Sequence, residues 1–307
     1  MSNVTLRPAL TRPASAETAT KRKNPLSRKS LILTIVTAIF AIYALMPLVW
    51  LLINATKTQH DYVSTFGFAF GHSFALFDNI ADTFAYRDGI FARWFLNTIM
   101  YVVIGAGGAT LLAILGGYGL AKFRFPGRKA VMAVIMGAIA VPSTALTVPL
   151  FLLFSKIGIT NTPLAVILPC LVTPFGFYLM WVFADQAVPT ELLEAARVDG
   201  CREFGIFFRI SLPLLAPGIV TVALFAIVAT WNNYFLPLIM LTSEKWKPLT
   251  TGLNDIKLQT YSPAGGQEPL QNVILTGSLL TIIPLVIAFL ILQRYWQAGL
   301  AAGSVKE

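Results

Sequence analysis

The sequence predicts an all-α membrane protein that crosses the bilayer several times. Of its 307 residues, 56% are hydrophobic and 12% are charged, whereas soluble domains average about 45–50% and about 25%. Six stretches each offer roughly 20 apolar residues without an interior charge, the length that a helix needs to span a bilayer. The predicted spans are residues 31–53, 95–121, 130–154, 164–184, 218–241 and 273–292.

Two regions are polar by comparison with these spans. Residues 1–29 are rich in Pro, Ser and Thr and carry seven Lys and Arg residues, a composition that cannot bury a core. We expect a disordered basic cytoplasmic tail there and a six-helix membrane domain over residues 30–307. The second polar region is an insert at residues 189–213 within that domain.

The distribution of Lys and Arg predicts the orientation in the membrane. If the amino terminus is cytoplasmic, 16 of the 23 Lys and Arg residues fall on the cytoplasmic side, as the positive-inside rule requires. Both termini and the insert should therefore face the cytoplasm. The net charge of +9 then reflects topology and anionic lipid headgroups, and nucleic-acid binding is not expected.

Nothing in the sequence indicates enzymatic chemistry. Cys170 and Cys201 lie in different environments, and His60 and His72 lack neighbouring ligands, so we expect neither a disulfide nor a metal site. The sequence contains no phosphate-binding loop of the form G-x-x-x-x-G-K-S/T and no hydrolase motif. Any use of ATP must come from a partner, and a membrane enzyme is an unmotivated alternative.

Two features of the spans bear on packing and transport. The second span carries a stripe of small residues, which lets another helix approach closely, in this chain or in another. The stripe consists of Gly105, Ala109, Ala113, Gly117 and Ala121.

The spans lack charged side chains, which disfavours an ion-coupled or passive secondary carrier for polar uncharged solutes. Such a carrier is the alternative function.

Amide and aromatic side chains are the candidates for a solute pathway. They are Asn97, Trp231, Asn232, Asn233 and Tyr234. This mixture suits uncharged, hydroxyl-rich solutes such as sugars. The alternative is that the aromatic rings lie at the membrane interface while the amides bond neighbouring helices.

The insert has the pattern of two short helices joined by a turn. Thr190 is expected to be the N-cap of the first helix, and Gly200 to end it in the left-handed conformation. Phe204 begins a second face. The apolar side of the first helix is expected to consist of Leu192, Ala195 and Ala196. Such an element would let another protein dock, or would lie as an amphipathic hairpin on lipid headgroups.

Several short motifs place the chain in a known group. Glu194-Ala195-Ala196 is followed by Asp199-Gly200, Ile210 and Leu212-Pro213. With this spacing, the chain resembles the inner-membrane permease subunits of binding-protein-dependent ABC importers. Further matches are Asn97-Thr98, Trp231-Asn232, Ile283-Pro284, Gln293-Arg294-Tyr295, Gly299 and Gly303. They extend the resemblance over residues 30–307 and favour the carbohydrate-uptake branch, which includes the second maltose permease subunit.

The resemblance implies a fold, a location and a set of partners. The fold would be that of a type I importer permease in the plasma membrane of a bacterium or archaeon. The partners would be a second permease subunit, two ABC ATPase subunits that bind ATP and Mg²⁺, and an extracytoplasmic solute-binding protein that delivers a sugar or oligosaccharide. The residues expected to couple the chain to the ATPases are Glu194, Ala195, Ala196, Asp199, Gly200, Phe204 and Pro213.

Overall fold

The computed structural model describes residues 31–260 and 270–302, with side chains described up to residue 293. Within these ranges the regular elements are helices and there is no β-strand, which confirms the predicted all-α class. The predicted disordered tail, 1–29, lies outside the described residues. The chain divides into two compact units, Met1–Leu48 and Val49–Glu307.

The described part of the chain forms fourteen helices and one short 3₁₀ turn, Glu244–Trp246. The helices are α1 (Leu31–Ala55), α2 (Gln59–Ser64), α3 (Leu76–Ala85), α4 (Ile90–Lys122), α5 (Arg128–Ala140), α6 (Ser143–Lys156), α7 (Leu164–Cys170), α8 (Pro174–Ala187), α9 (Thr190–Val198), α10 (Glu203–Leu214), α11 (Ala216–Trp231), α12 (Phe235–Met240), α13 (Leu249–Thr260) and α14 (Gln271–Ala302). Two of them contain a π-helical turn, Val102–Ala106 in α4 and Phe207–Ser211 in α10.

Among the described residues, four segments are long and apolar enough to cross a membrane: α1, α4, α7 with α8, and α14. Two bent pairs pass the same test, α5 with α6 at 102° and α10 with α11 at 75°. The structure therefore contains four candidate spans, or six if each bent pair is one span. The six predicted spans match the upper end of this range in number, and the chain is a multi-pass membrane protein. The predicted span 218–241 is wrong in its bounds, because α11 ends at Trp231 and the chain continues as the separate helix α12 from Phe235.

Proline explains two breaks within spans that the sequence predicts as continuous. Val141, which precedes Pro142, is extended (φ −84°, ψ 121°) and ends α5. Thr173, which precedes Pro174, is also extended and separates α7 from α8. The ring of a proline disfavours the helical conformation in the residue before it, so both predicted spans, 130–154 and 164–184, are interrupted at these points.

The part of the small-residue stripe that contains Gly117 packs against α8, whereas Gly105 at its other end faces Cys170 of α7. A Cβ atom at Gly117 would lie 2.8 Å from the backbone nitrogen of Trp181 and 2.9 Å from the backbone carbon of Met180. Ala113 and Ala121 are also buried in this contact region. The predicted close approach is thus confirmed, and the neighbouring helix belongs to the same chain.

The α4–α8 pair supports the polar insert. Leu193 of α9 and Ile206 of α10 are both fully buried and share one apolar core with Tyr118 of α4 and Met180 of α8. Since apolar burial is the main stabilising force in such contacts, the insert is held on the end of the helical bundle and does not project from it as a free loop.

Candidate functional site

The first helix of the insert begins one residue earlier than expected. Its N-cap is Pro189, with φ −63° and ψ 135°, and Thr190 is already helical and makes no capping hydrogen bond. The prediction that Thr190 is the N-cap is therefore wrong. Pro189 has the fixed φ and extended ψ of a residue that precedes a helix, so the helix begins directly after it.

The same helix ends as the sequence predicts. Gly200 has φ +81°, a left-handed backbone conformation that residues with a Cβ atom rarely adopt. The amide of Cys201 donates to the carbonyl of Ala196, and the amide of Gly200 donates to that of Arg197, both at 3.0 Å. These two bonds form a Schellman motif. Asp199 is the C-cap residue, so Asp199 and Gly200 together redirect the chain into α10.

The inward face of α9 differs from the prediction. Leu193 and Ala196 face the core, whereas Leu192 is 41% exposed and Ala195 is exposed. Leu192 and Ala195 therefore do not join Ala196 on the apolar side, and that part of the prediction is wrong. The helix is rotated so that positions three apart, 193 and 196, pack against the bundle, as expected for neighbours on one helical face.

Three conspicuous apolar side chains of the insert point into solvent. Val198 is 87% exposed, Phe204 is 81% exposed and Phe208 is 59% exposed. Glu194 and Ala195 lie on the exposed surface of α9. Large exposed apolar residues gathered on one polar element mark a contact surface for a partner or for lipid. We call residues 194, 195, 198 and 204 the exposed face of the insert.

An ion pair joins the two helices of the insert. Nε and Nη2 of Arg197 donate to the two carboxylate oxygens of Glu203, at 2.6 and 3.3 Å. The hydrogen bond from Arg197 lowers the pKa of Glu203, and the same bond raises the pKa of Arg197. Sequence reasoning missed this pair, although opposite charges on either side of Gly200 were its available signal. It links α9 to α10 across the turn at Gly200.

Tyr118 connects the insert to the long helix α4. Its side chain is buried, and its ring centroid lies 4.9 Å from that of Phe207 in α10. The hydroxyl of Ser211 donates to the Tyr118 hydroxyl at 3.1 Å. Both α10 partners lie in its π-helical turn, Phe207–Ser211. A displacement of α10 must therefore also displace α4, or break this junction.

The remaining coupling candidates lie on α10. Phe204 belongs to the exposed face, and Pro213 is exposed near the end of the helix. Leu212, between Ser211 and Pro213, packs against the core shared with α8. The helical axis then turns by 75° into α11. Pro213 therefore lies where the insert passes into the bundle, and not on the exposed face itself.

The solute-pathway candidates fall into two groups. Asn97 donates from its amide nitrogen to the backbone carbonyls of Lys245 and Lys247, both at 2.9 Å. Trp231 is buried and packs edge-on against Phe95, with ring centroids 6.3 Å apart. Asn97 therefore attaches the segment after α12 to α4, the bonding role that the alternative interpretation assigned to the amides. Trp231 lies buried against α4, which is neither the pathway position nor the interfacial position considered for it.

The other pathway candidates are more accessible. Asn232 is exposed and its amide nitrogen donates to the carbonyl of Val228 at 2.9 Å. Tyr234 is 37% exposed. Asn233 is half-buried, with its amide nitrogen 3.6 Å from Sγ of Cys170. Of the five candidates, residues 232–234 alone have side chains that are not buried within this chain.

Comparison with known proteins identifies the group to which the chain belongs. A family model described as "binding-protein-dependent transport system inner membrane component" matches residues 109–301. The chain is 34% identical to an arabinooligosaccharides transport system permease protein of Halalkalibacterium halodurans, over 90% of this chain and 96% of the relative. It is also 34% identical to a lactose transport system permease protein of Rhizobium radiobacter, over 88% of this chain and 94% of the relative.

A solved structure supports the fold. It is that of a bacterial ABC transporter involved in the import of the acidic polysaccharide alginate, with a TM-score of 0.74, 23% identity, and coverage of 88% of this chain and 98% of the other. The family match includes the insert with its Glu194-Ala195-Ala196 and Gly200, and the spans on either side. The chain therefore belongs to the inner membrane components of binding-protein-dependent transport systems.

Proposed function

We propose that this chain is a permease subunit of an ATP-driven importer of a sugar or oligosaccharide. Arabinooligosaccharide, lactose, and melibiose/raffinose/stachyose permeases are among its relatives, and the accessible amide and aromatic side chains of Asn232, Asn233 and Tyr234 suit an uncharged sugar. The other parts of the importer are a second permease subunit, two ATPase subunits that bind ATP and Mg²⁺, and a solute-binding protein outside the membrane.

The exposed face of the insert is the proposed contact with an ATPase subunit. The observation that carries this proposal is the contrast between its two sides. Leu193 and Ala196 are buried against the bundle, while Val198 and Phe204 present apolar surface to solvent. Such anchors enter pockets of a partner and contribute most of the binding energy of an interface. The positive-inside distribution favours a cytoplasmic location for this face and for both termini.

The proposed mechanism follows from how the insert is attached. The Arg197–Glu203 ion pair and the Schellman motif at Gly200 hold α9 and α10 at one angle, so a force on the exposed face moves them together. The junction at Tyr118 passes this movement to α4, and Met180 passes it to α8. Closure of the ATPases on ATP then shifts the population of bundle conformations between inward-open and outward-open.

Reconstitution tests the proposal. Proteoliposomes that contain this chain, its permease partner, the ATPases and the binding protein should take up labelled sugar only when ATP is supplied on the ATPase side. Gly200→Ala should reduce uptake, because alanine costs roughly 1–2 kcal/mol in the left-handed conformation. Gly200→Asn is the matched control, since asparagine tolerates this conformation, and it should retain more uptake. Sugar uptake by this chain alone, driven by an ion gradient, would contradict the proposal.

A further inference from the structure

A cluster of basic residues lies where the end of α4 is connected to the beginning of α5. Residues 122–129, Lys-Phe-Arg-Phe-Pro-Gly-Arg-Lys, comprise the last residue of α4, the loop 123–127 and the first two residues of α5. They contain four basic residues, and the sequence has no Asp or Glu between this loop and Asp185. Among the described residues, the Lys122 side chain donates to the backbone carbonyl of Asp185 at 3.3 Å, and no ion pair involves Arg124, Arg128 or Lys129.

The backbone holds three of these cations around one concavity. The amide of Arg128 donates to the carbonyl of Phe125, and Gly127 has φ +88° and ψ −5°. With Pro126 before it, this is a type II turn. The turn borders an open concavity of about 350 Å³ lined by Arg124, Phe125, Gly127, Arg128 and Lys129.

The position of this concavity relative to the membrane indicates its ligand. It lies where two spans end, and Phe123 and Phe125 on the same loop are 39% and 43% exposed. Exposed Phe rings beside Lys and Arg are typical of segments at the boundary between lipid headgroups and acyl chains, where the rings enter the apolar layer and the cations stay among the headgroups. Basic clusters next to a span attract anionic lipids, and arginine recognises phosphate through paired hydrogen bonds.

We infer that Arg124, Arg128 and Lys129 form a binding site for the phosphate headgroup of an anionic phospholipid, with Phe123 and Phe125 in the adjoining acyl region. Under the proposed topology this lipid belongs to the cytoplasmic leaflet. The site lies beside the coupling machinery, because the Phe123 ring packs edge-on against Tyr118, with centroids 6.0 Å apart. Tyr118 in turn contacts Phe207 of the insert.

The test compares lipid retention by two variants of the full chain. R124Q/R128Q/K129Q removes the three cations of the site. R93Q/K156Q/K257Q removes the same charge from exposed positions that the proposed topology places on the opposite side. Each protein is reconstituted with equal amounts of phosphatidylglycerol and phosphatidylcholine, extracted in neutral detergent, and the lipids that stay bound are counted by native mass spectrometry.

The wild-type chain should retain phosphatidylglycerol preferentially. Each charge removed from the site should reduce this preference roughly fivefold, while the matched variant should behave as the wild type does. Equal retention by the wild type and R124Q/R128Q/K129Q would overturn the inference. So would full displacement of the lipid by millimolar inorganic phosphate, which would indicate a site for a free anion.

Two controls exclude other roles of the same charges. If R124Q/R128Q/K129Q keeps phosphatidylglycerol but no longer co-purifies with the ATPases, the loop is a protein contact and the inference is wrong. Labelling of the exposed Cys201 with a membrane-impermeant maleimide shows whether the variant keeps its orientation. Should the orientation change, the three single Gln variants replace the triple variant, and loss of preference in none of them would equally overturn the inference.

Discussion

Arg197 and Glu203 form a two-bond ion pair across the turn at Gly200, at 2.6 and 3.3 Å. Their side chains are 38% and 46% exposed, so the pair contributes less than about 1 kcal/mol to stability. Its importance lies in geometry, because it favours one angle between α9 and α10 beside the turn at Gly200. The pair is therefore a positioning contact for the exposed face.

Breaking this pair should weaken the coupling of ATP hydrolysis to sugar transport more than it lowers the stability of the fold. R197E should lower the amount of sugar transported per ATP hydrolysed while the thermal unfolding temperature stays close to that of the wild type. R197E/E203R should restore most of the coupling, since the reversed charges can pair again. R202Q removes a positive charge from the same insert that makes no described ion pair, and it should have little effect. Equal coupling in R197E and the wild type would contradict this role.

Substitutions of Phe204 and Leu193 should distinguish an effect on ATPase binding from an effect on the stability of the fold. F204A removes a side chain that is 81% exposed, so stability should change by no more than about 0.5 kcal/mol, while co-purification of the ATPases should fall. L193A removes a fully buried side chain and should cost about 2–5 kcal/mol. Thermal unfolding and pull-down of the ATPases measure the two effects. Normal ATPase binding by F204A would argue against the exposed face as the contact.

Gly117 and Gly119 offer a matched pair within α4. G117A would place a Cβ 2.8 Å from the backbone nitrogen of Trp181, so α4 and α8 must move apart and the yield of folded protein should fall. A Cβ at Gly119 meets nothing within 4 Å, and G119A should raise helix stability by up to about 1 kcal/mol. Size-exclusion profiles and unfolding temperatures in detergent compare the two. Similar behaviour of both variants would refute the close α4–α8 contact.

Asp61 should make the loop after α1 sensitive to acid. Oδ1 of Asp61 lies 2.8 Å from Nδ1 of His72, and this hydrogen bond is the main cause that lowers the pKa of Asp61 from 3.8 to about 2. Because the folded-state pKa is the lower one, the contact stabilises the loop above about pH 4 and is lost as the pH falls towards 2.

Hydrogen exchange over residues 64–75 measures this effect between pH 5 and pH 2. D61N should leave the segment weakly protected at every pH. D78N changes an exposed carboxylate on the nearby α3 and should follow the wild type. Protection in D61N that still declines between pH 4 and pH 2 would assign the transition to another group.

The sequence predicted those elements whose cause is local. The sequence predicts the left-handed conformation at Gly200 because the residues around it end one helix and begin another, and the φ of Gly200 is +81°. The stripe through Gly117 was equally visible, since a four-residue repeat of small side chains has one simple packing consequence. The chain breaks before Pro142 and Pro174 were open to the same reasoning, but the apolar run across each of them favoured a single continuous span.

The predictions fail, or leave alternatives open, where contacts between residues far apart in the sequence determine which side chain is buried or paired. Leu192 and Leu193 are chemically identical neighbours, and the angle at which α9 meets α8 determines which one is buried. Asn97 could equally have faced a solute, and its partners are the carbonyls of Lys245 and Lys247, about 150 residues away along the chain. The ion pair between Arg197 and Glu203 depends on a turn whose exact course the sequence does not specify.

The shared core beneath the insert constrains how partner choice can change during evolution. Leu193 and Ile206 fill space shaped by Tyr118 and Met180, so transplanting residues 190–214 from another permease would import side chains fitted to a different bundle. Recombination of this segment as a cassette is therefore disfavoured. Specificity for a new ATPase is more easily reached by successive substitutions at solvent-facing positions such as Val198 and Phe204, with the buried positions left unchanged.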